Sequence, residues 1–485
     1  MELKKLLNGL ENLKAKGNLN LEIKNIETDS RKVTKDTLFI AIKGFEVDGH
    51  NFINNAIENG ATAVLVEEGF DIKSLPADTT IIVALDTRYA RAIVACNFYD
   101  HPSKKFKLIG VTGTKGKTTT TYMIKEILER TGQKVGLIGT IANYIGGRTL
   151  GESARTTPDS IELQALFAKM AEEKVDTVVM EVSSQSLKLN RVAGSYFDIA
   201  VFTNFSEDHI SPKEHQDMDD YFQSKCKLFE MCKVGFVNSD DLYSQKLKKK
   251  FSENDIKTYG IDNTCDLLAK DITITNSYVD FKVKLGEKNE RVKTNIPGRF
   301  SVYNSLAAIS VCLKLGVSPE TIKEALLSVT VPGRSELVPN KKELTVMIDF
   351  AHTPESLESI LNAVKSYTRG RVISVFGCGG DRDTSKRSIM GEISGRIADF
   401  TVITSDNPRT EKPQEIIEQI EKGIKKTNGN YIAICDRKEA IEYALNMADK
   451  KDIVVLAGKG HETYIEINGE KHNFDERKIV KEILK

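Results

Sequence analysis

The segment Gly110-Val111-Thr112-Gly113-Thr114-Lys115-Gly116-Lys117-Thr118-Thr119-Thr120 constrains this chain more than any other. It follows the apolar run Phe106-Lys107-Leu108-Ile109 and leads into a helical pattern. A glycine-rich turn between strand and helix aims backbone N–H groups and the positive end of the helix at one point, which makes a phosphate site. Gly113, Thr114, Lys115, Gly116 and Thr119 form the cradle, Lys117 supplies a point charge, and Thr118 offers a hydroxyl to Mg²⁺. Val111 stands where the commonest phosphate loop has its first glycine, so this loop belongs to a distinct subgroup. ATP and Mg²⁺ are the expected cofactors.

The rest of the chain alternates in a compatible way. Its 485 residues exceed one ordinary core and predict about two to four domains. Thr37 to Ile42 reads as a strand, and Gly60 to Val66 as a helix end feeding another. Lys134 to Ile138, Thr177 to Met180 and Ile199 to Phe202 are apolar runs separated by helical stretches, as are Val346 to Ile348, Val372 to Phe376, Phe400 to Ile403 and Ile453 to Leu456. Such alternation predicts doubly wound, mostly parallel sheets, with ligands at the carboxyl ends of the strands. The polar alternation from Asp271 to Val292 reads as antiparallel hairpins. Breaks at His101-Pro102-Ser103 and Val331-Pro332-Gly333-Arg334 divide an α/β chain into domains 1–102, 103–332 and 333–485.

Lys plus Arg and Asp plus Glu both number 69, so net charge offers nothing to nucleic acid or a membrane surface. No apolar run is long enough to span a bilayer, and Met1 to Leu7 lacks the pattern of a secretory signal. A cytoplasmic enzyme without membrane insertion is expected. The seven cysteines are scattered without a CxxC pair, which fits reduced, packing thiols.

The loop and the motifs that follow it in order resemble the Mur ligase family, which builds the peptide stem of bacterial cell-wall precursors. Asp29-Ser30-Arg31 and Asp48-Gly49-His50 match its nucleotide-sugar domain. Thr156-Thr157-Pro158, Glu181-Val182-Ser183-Ser184, Thr203-Asn204 and Asp208-His209 match its central ATPase domain. Asp349 to Pro354, Gly379 to Asp383, Asp406-Asn407-Pro408-Arg409 and Gly458-Lys459-Gly460-His461-Glu462 match its Rossmann-like C-terminal domain. Two features depart from the family: Gln185 replaces a frequent His, and the stretch from His209 to His215 is two residues longer than the commonest version.

The resemblance implies a three-domain α/β ligase that activates a carboxylate as an acyl phosphate and then forms an amide. The implied acceptor is UDP-N-acetylmuramoyl-L-alanyl-D-glutamate, contacted by Ser30, Thr156, Thr157, Ser183, Arg191 and Lys225. Glu181 is the expected partner of Thr118 at a first Mg²⁺, and His209 a ligand of a second. Lys225 matches the lysine that the family carbamylates into an anionic oxygen ligand. Asn304 corresponds to an adenine contact, and Arg334 and Asp349 to groups near the phosphates and ribose.

Asp406, Asn407, Pro408, Arg409, Arg382, Gly458 and Glu462 make up the implied amino-acid pocket. Meso-diaminopimelate bears a second carboxylate where lysine has only an ammonium, and the Arg409 guanidinium can grip that carboxylate. Arg382 would hold a carboxylate and Glu462 an ammonium of the same ligand. Diaminopimelate is therefore the expected amine, with L-lysine as the alternative, a folylpolyglutamate-synthase-like ligase further off, and a nucleotide switch without ligation as the rival from another class. A monomer is expected.

Overall fold

The computed structural model describes residues 1–208, 210–211 and 214–485, with all side chains of these except that of Glu152. The chain packs as two units, Met1–Leu267 with Ala307–Val317, and Leu268–Leu306 with Ser318–Lys485. Its architecture is a three-domain α/β fold.

The first unit holds two sheets. The smaller has the order Lys14–Lys16, Thr80–Ala84, Ala61–Glu67, Thr37–Ile40, Asn25–Glu27, all parallel except Lys14–Lys16. All four residues of Thr37–Ile40 are buried, as expected of a strand covered on both faces. The helix Thr87–Phe98 starts at Asp86, whose carboxylate accepts from the N–H groups of Arg88 and Tyr89 at 2.8 and 3.0 Å.

The larger sheet carries the phosphate loop. From Asp255–Gly260 its order is Cys232–Asn238, Phe197–Phe202, Lys107–Thr112, Thr177–Glu181 and Val135–Ile138, all parallel. An antiparallel hairpin, Ala142–Ile145 with Arg148–Glu152, extends the edge. That hairpin lacks an apolar run of its own, so periodicity does not announce it. The loop strand is central: Val111 lies in register between Glu181 and Val201, so the segments beyond these strand ends gather at one edge of the sheet.

The second unit contains the expected polar hairpins as Lys270–Ile274, Val279–Leu285 and Lys288–Thr294. Val279–Leu285 buries every other residue, the period that its sequence shows. Its main sheet has the order Glu336–Leu337, Thr345–Asp349, Ile453–Ala457, Val372–Phe376, Phe400–Ile403, Tyr431–Ala433, parallel apart from its first strand. The motif segments after Asp349, Phe376, Ile403 and Ala457 all leave from carboxyl ends. Among the described residues, no helix is long and apolar enough to cross a membrane.

Helices Ser385–Ile397 and Pro413–Ile424 cover this sheet and touch through glycines. A Cβ on Gly423 would overlap the carbonyl oxygen of Ser388, and one on Gly391 that of Ile420. Gly423→Ala is therefore expected to destabilise the protein by roughly 1–3 kcal/mol, the usual range for overpacking, measured as a lowered thermal or urea midpoint.

Candidate functional site

The loop is shaped by two glycines and clamped by the neighbouring strand. Gly113 has φ 144° and Gly116 has φ 86°, conformations that favour glycine, and a Cβ on Gly113 would overlap the Thr203 hydroxyl. Thr203 donates to the Lys115 carbonyl at 2.6 Å, and the Lys115 N–H donates to Asn204 Oδ1 at 2.9 Å. Thr114 Oγ1 accepts from the Ser206 N–H and meets Tyr221 Oη, both at 3.1 Å. The helix Lys117–Arg130 starts directly after Gly116.

Two lysines converge on this loop. Lys117 Nζ donates to the carbonyls of Gly113 and Thr114, each at 2.9 Å. Lys225, from helix Met218–Glu230, is 1% exposed and donates to the same Gly113 oxygen at 2.8 Å. Burial, reinforced by the charge of Lys117 and opposed by Asp208, holds the Lys225 amine well below its ordinary pKa. The shift favours the neutral, nucleophilic form of that amine. His209 lies outside the described residues.

Glu181 ends the adjacent strand, 1% exposed, and accepts from Thr118 Oγ1 at 3.0 Å, the Thr140 N–H at 2.9 Å and Thr140 Oγ1 at 3.1 Å. A Cβ on Gly139 would overlap its carboxylate. Among the described residues, no three His, Cys, Asp or Glu side chains cluster as a metal cage. One carboxylate and one hydroxyl beside a phosphate cradle nevertheless fit Mg²⁺, which completes its shell with phosphate oxygens and water.

The expected acceptor residues continue from Glu181. Thr140 Oγ1 meets Thr156 Oγ1 at 3.1 Å, Thr157 Oγ1 donates to the Glu181 carbonyl at 2.9 Å, and the Ser183 N–H donates to Thr157 Oγ1 at 3.1 Å. Arg191 Nη1 donates to the Thr157 carbonyl at 3.2 Å. Around them Asp159 pairs with Arg91 at 2.9 Å, Arg155 at 3.0 Å and Arg191 at 3.3 Å, so guanidinium charge exceeds carboxylate. Sequence reasoning missed Thr140, Asp159, Arg91 and Arg155; the one available signal was Gly139-Thr140 directly after an apolar strand.

In the short 3-10 helix Ser30–Lys32 after the strand Asn25–Glu27, Ser30 is buried, and its carbonyl accepts from Asn59 at 3.0 Å. His50 has both ring nitrogens engaged, Nδ1 with Asp48 at 2.7 Å and Nε2 accepting from the Glu67 N–H at 3.1 Å. It locks the turn.

The second unit assembles the other motif residues. Ser335 and Ala351 N–H groups donate to Asp349 at 2.7 and 3.0 Å. Burial raises the Asp349 carboxyl while Arg334 opposes the shift, and the Arg334 guanidinium lies 4.8 Å from the Phe350 ring centre. Asn304 is buried on helix Arg299–Lys314.

Asn407, Arg409 and Glu462 form one network. Asn407 Nδ2 donates to Glu462 Oε2 at 2.9 Å, and its Oδ1 accepts from Lys459 Nζ and the Glu466 N–H, both at 3.0 Å. Arg409 sits at φ 52°, held by its N–H to the Glu466 carbonyl at 3.0 Å and by Asn468 N–H to its own carbonyl at 2.8 Å. Its Nε donates to Glu466 at 3.1 Å and its Nη1 to the Gly380 carbonyl at 2.7 Å, which leaves Nη2 for a ligand. A Cβ on Gly379 would lie 3.0 Å from Arg409 Nη1 and 3.9 Å from Arg382 Cγ, so both arginines border this glycine, Arg382 as an exposed residue. Asp406 accepts from the Asn407 N–H at 2.7 Å, and a Cβ on Gly458 would lie 2.8 Å from its other oxygen. Pro408 joins Asn407 to Arg409 and is buried.

Residues 22–99 match the family pattern described as "Mur ligase family, catalytic domain", residues 111–312 "Mur ligase middle domain" and residues 333–460 "Mur ligase, glutamate ligase domain". The chain belongs to the Mur ligase family. This Mur ligase is 51% identical, over 100% of its own length and 99% of the relative's, to the UDP-N-acetylmuramoyl-L-alanyl-D-glutamate--2,6-diaminopimelate ligase of Caldanaerobacter subterraneus subsp. tengcongensis. It is 47% identical to a ligase of the same name, numbered 1, from Clostridium acetobutylicum, again over 100% and 99% of the two chains. A solved structure of a ligase with that name covers 100% of this Mur ligase and 98% of its own chain, with a TM-score of 0.72 at 29% identity.

Two outcomes follow from the geometry. Gly139→Ala pushes on the Glu181 carboxylate, and a displacement of that size is expected to lower kcat/KM for ATP by about 10²-fold in steady-state assays. Lys225→Met removes an amine whose folded pKa is depressed. Between that depressed value and 10.5 the unfolded chain binds the proton that the folded chain gives up, so the lysine costs stability that returns as pH rises. In bicarbonate-free buffer Lys225→Met is therefore expected to melt above the parent at pH 7, with the gap closing toward pH 10.5.

Proposed function

We propose that this ATP-dependent amide-forming ligase adds meso-2,6-diaminopimelate to UDP-N-acetylmuramoyl-L-alanyl-D-glutamate in peptidoglycan precursor synthesis, as a cytoplasmic monomer with domains at 1–102, 103–332 and 333–485. The relatives' names support the substrates. The observation that carries the amine is the Arg409 pocket: a guanidinium for a carboxylate and, through Asn407, the Glu462 carboxylate for an ammonium.

In the first step an acceptor carboxylate oxygen attacks the γ-phosphorus of ATP and ADP leaves, giving an acyl phosphate. The amine of diaminopimelate then attacks the acyl carbon, and inorganic phosphate departs with a proton lost from nitrogen. Gly113 to Gly116 and Thr119 line the phosphates, and Lys117 offsets charge on the transferred group. Thr118 and Glu181 would hold Mg²⁺, which when bound would add to the neutralisation of phosphate charge. Ser30, Thr156, Thr157, Ser183 and Arg191 contact the acceptor, Asn304 the adenine of ATP, and Arg334 and Asp349 lie toward its phosphates and ribose.

The burial of Lys225 and its lowered pKa support carbamylation: the unprotonated amine attacks CO₂, a C–N bond forms and one proton is released, leaving a carboxylate beside Lys117. With His209 this carboxylate would serve a second Mg²⁺. Activity is expected to fall in CO₂-depleted buffer and to return with bicarbonate, alongside a ¹³C carbamate signal that Lys225→Met lacks; full activity without that signal contradicts the modification. For the amine, ligation assays are expected to show diaminopimelate preferred over L-lysine by roughly 10²-fold or more in kcat/KM. Turnover of lysine without diaminopimelate would sink the substrate assignment.

A further inference from the structure

Lys459 is a charged residue that the proposed reaction leaves without a role. It follows the strand Ile453–Ala457, between Gly458 at φ 115° and Gly460 at φ 55°, and is 0% exposed. These glycines are tight on both sides: a Cβ on Gly458 would sit 2.8 Å from Asp406 Oδ2, and one on Gly460 2.6 Å from Phe350 Cβ. The loop therefore turns the lysine inward. Its ammonium donates to Asn407 Oδ1 at 3.0 Å and to Glu462 Oε2 at 3.3 Å.

A neutral donor would suffice to fix the Asn407 amide, whose oxygen already accepts from the Glu466 N–H. Placing a full charge in a dry position is costly unless the charge is paired. Glu462, whose side chain is 20% exposed, provides the pair. Its Oε2 takes both Lys459 and Asn407, and among the described residues no donor reaches Oε1. The carboxylate that faces the ligand is thus already partly neutralised from behind. Of the other charges nearby, Arg409 pairs with Glu466 at 3.1 Å, while Arg437 pairs with Glu476 at 2.8 Å and lies 4.0 Å from Asp406.

We propose that Lys459 determines the specificity of the amine pocket by weakening Glu462 toward a lone ammonium, so that a productive ligand must bring a carboxylate for the arginines as well. The proposal rests on the assignment of this pocket to the amine. Without Lys459, Glu462 would attract any cation more strongly, and L-lysine would gain more than diaminopimelate, whose far end is zwitterionic. Selection against the wrong ligand then comes from a residue that never touches it.

The test compares kcat/KM for diaminopimelate and L-lysine in the full-length parent, Lys459→Met and Lys459→Arg, with KM for ATP and acceptor and the thermal midpoint recorded for each. Lys459→Met is expected to lower the diaminopimelate-to-lysine ratio by about tenfold, with lysine turnover rising in absolute terms, while Lys459→Arg keeps the parent ratio. Equal losses for both amines would overturn the proposal and leave Lys459 a packing residue. Should Lys459→Met not fold, the parent decides: 2-aminopimelate, which keeps the far carboxylate and lacks the ammonium, is expected to compete with diaminopimelate better than L-lysine does, and weaker competition would overturn the idea. A parent that used lysine alone would instead overturn the pocket assignment, which the same assay separates from an unchanged ratio in the variant.

Discussion

Two ammonium-bearing side chains share the carbonyl oxygen of Gly113, Lys117 at 2.9 Å and Lys225 at 2.8 Å. Two ammonium charges so close and so dry repel each other, and burial together with the charge of Lys117 pushes the Lys225 amine well below its ordinary pKa. Everything at this edge of the sheet depends on that arrangement. The loop must curl for its carbonyl to reach both, Thr203 and Asn204 must hold the curl, and Glu181 must stand across from Thr118 with its own donors in place. An anionic ligand and a carboxylated Lys225 would convert the strained pair into a set of matched charges.

The phosphate loop was legible because its function is local: glycines, two lysines and a threonine run lie in eleven consecutive residues, and the strand and helix that bracket them have clear periods. The parallel strands were legible for a similar reason, since burial on both faces leaves unbroken apolar runs such as Ile453–Ala457. What stayed hidden comes from separated segments. Thr140 matters because Val135–Ile138 lies next to Thr177–Glu181, and no local pattern records that adjacency. Asp159 ringed by Arg91, Arg155 and Arg191 draws one arginine from the N-terminal helix, which spacing in the sequence cannot show. The edge hairpin at Ala142–Ile145 was missed because that strand is only four residues long and its partner, Arg148–Glu152, is polar and lacks the apolar signature.

The proposed amine pocket shows how a sequence motif can understate the geometry around its residues. Arg409 reads in the sequence as a free guanidinium able to grip a carboxylate in bidentate fashion. In the structure its Nε and Nη1 are committed to Glu466 and Gly380, and its backbone is held in the left-handed region. These bonds fix the remaining edge of the guanidinium, trading donor number for position, which is what discrimination between similar amino acids requires. The same logic applies to Glu462, whose orientation comes from Asn407 and Lys459.

The central claim is that the loop and its two lysines serve transfer of a phosphoryl group onto a carboxylate. An acceptor labelled with ¹⁸O in its glutamyl carboxylates, ligated in unlabelled water, tests this most directly by mass analysis of the phosphate released. Direct transfer predicts one ¹⁸O atom in each inorganic phosphate formed in step with product. Phosphate without the label, released at the same rate as product, would contradict it.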